Sequence, residues 1–205
     1  MTWQGSAGFC GVMDSGKSYA AAQWLSEAPA GGIYWDPQHD AKVPGAAEIG
    51  PHTSAALVRQ ALASGVPLVY RSAGARYYQD EAAWIILTMR RLGGLDRPVR
   101  RVVFDEGHLL MRTGRVHPLL AEEWYVQRHH SLEIGWASPL VEAIDYEIVR
   151  TTVFLRAFRQ PWRPWMSNQG FSREMLRSLA MAPDYSSLFR DLRQANDPTF
   201  MAPGI

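Results

Sequence analysis

The chain has 205 residues, a formal net charge of +1 and 47% hydrophobic content, which suffices for one domain with a sizeable core and leaves no room for a second full one. Near-neutral charge argues against a strongly basic stand-alone nucleic-acid-binding domain, though not against a ring that needs one basic loop per subunit. The single cysteine excludes an internal disulfide, no stretch approaches eighteen consecutive apolar residues, and "MTWQGSAGFCGV" lacks the basic start and apolar run of a signal peptide, so the expectation is an intracellular chain with no membrane span.

Short β-like runs are predicted at 7–12, 31–36, 67–72, 100–105, 132–138 and 151–158. Helical stretches fill the gaps at about 17–27, 53–63, 79–92, 118–129 and 140–149. This alternation is the pattern of an α/β domain with a largely parallel sheet. Helix 79–92 starts acidic at Asp80-Glu81 and ends in Arg90-Arg91 before Gly93-Gly94, matching both ends of a helix dipole. Cys10, in the apolar run "GFCGV", reads as a buried small side chain. The tail reads as one helix, a turn at Pro183, a second short helix and a loose end. Two units are thus expected: a core over 1–170, and a C-terminal helical extension over 171–205 packed on the core or on a neighbouring subunit.

"GVMDSGKS", residues 11–18, matches G-x-x-x-x-G-K-S and lies between a predicted strand and a predicted helix, the context that gives the pattern its meaning. Gly11 and Gly16 let successive backbone N–H groups turn toward phosphates, and the following helix adds its positive end. The binding segment expected for ATP is Gly11, Val12, Met13, Asp14, Ser15, Gly16, Lys17, Ser18 and Tyr19. Lys17, one of only two lysines among 21 basic residues, would hold the β- and γ-phosphates. Ser18 would offer its hydroxyl to Mg²⁺.

"RRVVFDEGH" ends a mostly apolar strand in Asp105, placed to order Mg²⁺ through water. Glu106 is the candidate that polarises an attacking water. Two carboxylates with two tasks favour hydrolysis over transfer to a small acceptor, and a small-molecule kinase would want a fuller arginine-rich lid than "RTGR". Two predicted strands intervene in sequence between the loop and Asp105, which implies that another strand separates the loop strand from the Asp105 strand in the sheet. The fold class is therefore α/β: a RecA-like phosphate-loop NTPase of the additional-strand, catalytic-glutamate (ASCE) branch.

In "QRHHSLEIGWASP", adjacent His129 and His130 diverge by about 100° on a helix, and no second pair stands at ligand spacing. Arg128 is the more informative residue, because a planar, permanently charged guanidinium suits the charge that builds on a γ-phosphoryl group.

Together "GVMDSGKS" (Walker A), "IYWDPQHD", "VVFDEGHLL" (Walker B) and "QRHHSLEIGWASP" resemble the FtsK/HerA superfamily of motor ATPases. Within it the chain is most similar to small viral genome-packaging ATPases and, second, to Zot-like phage proteins. The resemblance matches Asp36-Pro37 to an Asp-Pro after the second strand, and Asp105, Glu106 and His108 to a DEAH-like strand end. It matches Arg128-His129 to a Gly-Arg-His segment whose arginine acts in trans, with Gln127 in place of the glycine. Ser138-Pro139 departs from the usual Thr-Gln sensor, leaving Ser138 as a candidate polar sensor.

The resemblance implies a ring of hexameric or pentameric form, double-stranded DNA as cargo, capsid vertex proteins as docking partners, and a place in host cytoplasm or at the virion packaging vertex. Candidate DNA contacts are Arg71, Arg76, Tyr77 and Tyr78 in "RSAGARYYQD", and Arg112 and Arg115 in "MRTGRVHP"; both segments also read as solvated loops. "RAFRQPWRPW" reads as an inter-subunit ledge or a hairpin at the sheet edge. Two other functions fit the same residues: a Zot-like virion-assembly ATPase, and a nucleotide-dependent switch or scaffold that turns over slowly.

Overall fold

The computed structural model describes residues 5–93, 97–160, 164–194 and 196–202. Nine strands form one sheet: β1 Ala7–Cys10, β2 Gly32–Asp36, β3 Ala47–Ile49, β4 Leu68–Arg71, β5 Arg100–Phe104, β6 Leu132–Ser138, β7 Phe154–Ala157, β8 Ser187–Asp191 and β9 Thr199–Met201. Their order is β3-β4-β2-β5-β6-β1-β7-β8-β9. The first seven run parallel, and β8 and β9 close the sheet antiparallel. β6 stands between β1 and β5, the separation expected of a RecA-like sheet.

The central strands β1, β2, β5 and β6 are buried along their whole length and mostly apolar because both of their faces are covered, and the buried charges of Arg101 and Glu133 pair with each other at 2.8 Å. Alternate residues divide between two buried clusters. Phe9, Tyr34, Val103 and Ala137 meet the helix α1, Lys17–Ser26, through Ala21, Trp24 and Leu25. Ile33, Trp35, Val102, Phe104, Ile134 and Trp136 face the opposite layer, built from α2 Ala55–Ala63, α3 Tyr78–Leu92 and α4 Pro118–Val126. Gly135 leaves the room that Trp24 fills, since a Cβ there would stand 2.7 Å from the indole. Among the described residues no helix is long and apolar enough to cross a membrane.

The helix expected at 140–149 is instead a 3-10 turn at Val141–Ala143 followed by α5 Tyr146–Thr151, whose N-terminus Asp145 caps through Glu147 N–H at 3.0 Å. Because α5 extends through Thr151, the strand expected from 151 begins only at Phe154. The larger correction concerns the tail. After α6 Pro164–Asn168 and α7 Arg173–Met181, the second expected helix is β8, paired with β7, and the end carries β9. Leu188 is buried and Phe189 stacks on Phe154 at 6.0 Å between centroids, a period-two pattern that a short mixed segment shares with a helix. The tail therefore extends the sheet past β7, and the segment read as an edge ledge leads away from an interior strand. Pro161, Trp162 and Arg163 of that segment lie outside the described residues.

Candidate functional site

The loop between β1 and α1 is braced by the two strands that flank β1. Gly11 N–H donates to Ser138 O at 3.2 Å, and Val12 N–H to Arg159 O at 3.0 Å. Asp14 and Gly16 take φ of 58° and 94°, which glycine allows freely at position 16, where the helix begins. Residues 13–19 line a cavity of about 380 Å³, together with Asp105, Glu106, Gln38, Asp40, Lys42 and Tyr185. Lys17 is only 7% exposed, and its Nζ lies 3.8 Å from Glu106 Oε1. Of the expected binding segment, Gly11 and Val12 brace the loop from beneath while Met13 to Tyr19 face the cavity.

Asp105 follows β5 and is nearly buried. Ser18 Oγ donates to its Oδ1 at 3.3 Å, Tyr34 Oη to its Oδ2 at 2.8 Å, and Glu106 N–H to Oδ1 at 3.0 Å. Burial raises its carboxyl to about 6, against the hydrogen bonds from Tyr34 and Glu106 and the charge of Lys17. Burial, above all, also holds the Tyr34 hydroxyl well above its ordinary value. Glu106 sits in a left-handed conformation, φ 48° and ψ 42°, uncommon for a residue with a Cβ and frequent at working sites. That turn aims its carboxylate differently from Asp105, toward Lys17. Burial raises its carboxyl, Lys17 opposes the shift and Asp40 adds to it. His108 Nδ1 stands 3.4 Å from Glu106 Oε2; burial first, then Lys17 and Arg112, lower its imidazole. Two hard oxygens, Ser18 Oγ and Asp105 Oδ1, share the mouth of the phosphate cavity, a donor set that fits Mg²⁺.

Ser138 corrects the expectation of a sensor. Its hydroxyl donates to Leu140 O at 2.8 Å and accepts from Leu140 N–H at 3.3 Å, and the residue is fully buried. It closes its own turn, and the adjoining Pro139 meets the cavity instead.

Arg71 is corrected as well. Its guanidinium is committed to Asp36 and Glu48 and donates to Ala41 O at 3.2 Å. Asp36, 0% exposed, also accepts Gln38, His39 and Ala41 N–H at 3.1, 2.8 and 2.9 Å. This cluster pins the loop that presents Gln38, Asp40 and Lys42 to the cavity. None of the three was anticipated, although the chain's scarcity of lysine was a usable signal: both lysines reach one cavity. Tyr34 and Tyr185 were missed too. Tyr34 reads as strand interior, and nothing in one dimension joins residue 185 to a loop at residue 16.

Arg128 lies in a 3-10 turn, Gln127–His130, that enters β6 from its amino end. The phosphate loop lies at the carboxyl ends of the strands. Seven residues of β6, at ~3.3 Å each, put roughly 20 Å between the two, so Arg128 cannot serve its own phosphate site. It is exposed. The neighbouring His130 Nδ1 is 2.8 Å from buried Glu123 Oε1, and Glu123 also takes the Arg90 guanidinium.

The two loops proposed for DNA contact meet each other, Gln79 Nε2 donating to Arg115 O at 3.4 Å. Arg76 lies 4.6 Å over the Tyr77 ring, and Arg76, Arg112 and Arg115 are exposed. Tyr78 packs edge-on against Trp35 at 4.9 Å instead of facing solvent as a stacking platform.

No protein-family model and no curated protein matches the chain. Solved structures do. The genome packaging NTPase B204 of Sulfolobus turreted icosahedral virus 2, in complex with ATP-gammaS, aligns over 100% of both chains with a TM-score of 0.73 at 16% identity. B204 described as the DNA-packaging ATPase of Sulfolobus turreted icosahedral virus aligns over 99% of each chain, with a TM-score of 0.70 at 16% identity. The cytoplasmic domain of the type VII secretion ATPase EccC of Thermomonospora curvata covers 96% of this chain and 23% of its own, at 0.54 and 13%. At such identities the likeness is one of fold, and the described residues have the RecA-like α/β fold of phosphate-loop NTPases.

Proposed function

We propose that the chain is an ATP-hydrolysing motor subunit of the FtsK/HerA type, which assembles as a hexameric or pentameric ring and moves double-stranded DNA into a viral capsid at its packaging vertex. The observation that carries this reading is the meeting of Lys17, Ser18, Asp105 and Glu106 at one cavity, with Ser18 3.3 Å from Asp105 and Lys17 3.8 Å from Glu106. The full-length likeness to a packaging NTPase supports the viral setting.

In this reading Lys17 and the loop N–H groups hold the β- and γ-phosphates of ATP. Ser18 and Asp105 would hold Mg²⁺, which supplies neutralisation of the phosphate charge when bound. Phosphate replaces Glu106 as the partner of Lys17, freeing the Glu106 carboxylate to accept a hydrogen bond from the attacking water and polarise it. Lys42 brings a second cation to the same cavity, and Asp40 keeps Glu106 basic. Arg128 of a neighbouring copy completes the charge stabilisation that its own site lacks. Arg76, Tyr77, Arg112 and Arg115, on touching loops at the carboxyl ends of β4 and β5, make salt-dependent contact with DNA phosphates. The place of action is the host cytoplasm and the virion vertex.

The buried hydroxyl of Ser138 favours a second reading, a slowly turning ATP-binding switch, because no sensor from that strand end faces the phosphates. ATP turnover with and without long double-stranded DNA separates the two. The motor predicts turnover that DNA raises, a loss of about 10²-fold or more in Glu106→Gln and of about 10³-fold in Arg128→Ala. Absence of turnover in the unaltered protein under every condition selects the switch, and unchanged turnover in Glu106→Gln removes the base from its role.

A further inference from the structure

The phosphate loop has a second cavity on its other side, about 310 Å³, between loop residues 12–15 and Arg159, Leu179, Pro183 and Ser186. Tyr185 lines both this cavity and the one that holds Lys17. Its ring lies close to the loop itself: a Cβ at Gly16 would stand 2.9 Å from Tyr185 Cδ1.

Three features set this tyrosine apart from a side chain left on the surface by chance. Its backbone is left-handed, φ 65°, a conformation that a bulky residue adopts rarely and that the surroundings must hold. The holding contacts are present. Arg159 pairs with Asp184 at 3.1 Å and donates to Ala182 O at 3.2 Å, while its own carbonyl accepts Val12 N–H of the phosphate loop. One residue thus fixes the turn around Tyr185 and the loop beside it together. The residue is nonetheless 58% exposed, so this bracing leaves much of it open to solvent. Finally, Ser186 Oγ and Ser15 Oγ, buried in residues that line the second cavity, have no hydrogen-bond partner among the described residues. Buried hydroxyls of that kind need a partner that a bound molecule can supply.

The phosphate loop accounts for only one end of a nucleotide. The other end is a flat heteroaromatic ring with a polar edge, which wants an aromatic face, apolar walls and a few hydrogen-bonding groups. Tyr185, with Leu179 and Pro183 for walls and Ser186 for the edge, offers those groups next to the phosphates. We propose that Tyr185 and the cavity behind it form the base-binding subsite, with the nucleotide base stacked on the tyrosine ring. The assignment rests on the nucleotide-binding reading of the phosphate loop, and it gives the C-terminal tail a part in ligand recognition.

Calorimetric titration with ADP and with inorganic tripolyphosphate tests it, using the unaltered protein, Tyr185→Ala and Tyr185→Phe. A stacked base predicts that Tyr185→Ala weakens ADP by about 10- to 100-fold, leaves tripolyphosphate within about twofold, and that Tyr185→Phe restores ADP binding. Unchanged ADP affinity in Tyr185→Ala overturns the subsite while leaving the phosphate site intact. Equal weakening of ADP and tripolyphosphate overturns it in favour of a tyrosine that merely shapes the loop. Failure of the unaltered protein to bind either compound overturns the nucleotide reading and this one with it.

Discussion

Asp105 combines two opposed demands. The site needs a carboxylate at the strand end, and the fold removes that carboxylate from water, raising it to about 6 from its ordinary value. A carboxyl raised in the folded state binds protons that the unfolded chain has released, so it costs stability as pH rises from about 4 through 6. Asp105→Asn removes the charge and keeps an acceptor for Tyr34. Without nucleotide or metal, its stability advantage over the unaltered protein should therefore grow by roughly 2–3 kcal/mol between pH 4 and pH 7. Urea midpoints measured at both pH values check this, and a gap independent of pH contradicts it. At this scale the sequence was legible where a motif dictates backbone as well as side chain, as over Gly11–Ser18 and Asp105-Glu106. Arg71 and Ser138 were misread for a common reason. A cation or hydroxyl at the end of a strand looks free until its partner is known, and the partner of Arg71 lies 35 residues earlier at Asp36.

The loop from Asp36 to Lys42 shows how an element without regular structure is held. Three backbone N–H groups and one guanidinium converge on the fully buried Asp36 carboxylate, and His39, at φ 63°, reaches across to Ser72 O at 2.7 Å. Breaking a buried pair leaves an uncompensated charge, which costs far more than the pair itself contributes. Arg71→Met should lower unfolding free energy by about 3 kcal/mol, read as a shift in denaturant midpoint. A midpoint that does not move would return Arg71 to the surface role assigned to it by sequence. The strands that escaped prediction share a cause. β3 has three residues with two exposed, β9 is a three-residue strand at the other edge, and β8, between β7 and β9, is partly polar with only its first two residues buried. The central strands were legible because parallel strands covered on both faces are mostly apolar, as in the runs Val102–Phe104 and Ile33–Trp35.

Across the whole molecule, Arg128 and the phosphate loop lie at opposite ends of the sheet. The carboxyl ends of its parallel strands carry the phosphate loop, Asp105 and Glu106, and the amino end of β6 carries Arg128, roughly 20 Å away. In the proposed ring a single copy holds an incomplete site and, at its far end, the group that completes another. The position of the phosphate loop, and a further strand between the loop strand and the Asp105 strand, could be read from the alternation of apolar runs and one motif. The distance between Arg128 and its own loop follows only from knowing which end of β6 each occupies. In the proposed ring, Arg128→Ala lacks the arginine and keeps Glu106, while Glu106→Gln keeps the arginine, so a Glu106-bearing copy beside a Glu106→Gln neighbour has every group it needs. The shared site is tested most directly by mixing these two inactive variants and measuring ATP turnover in the presence of DNA. Turnover in the mixture well above the sum of the separate variants is predicted, and a mixture no more active than that sum would contradict it.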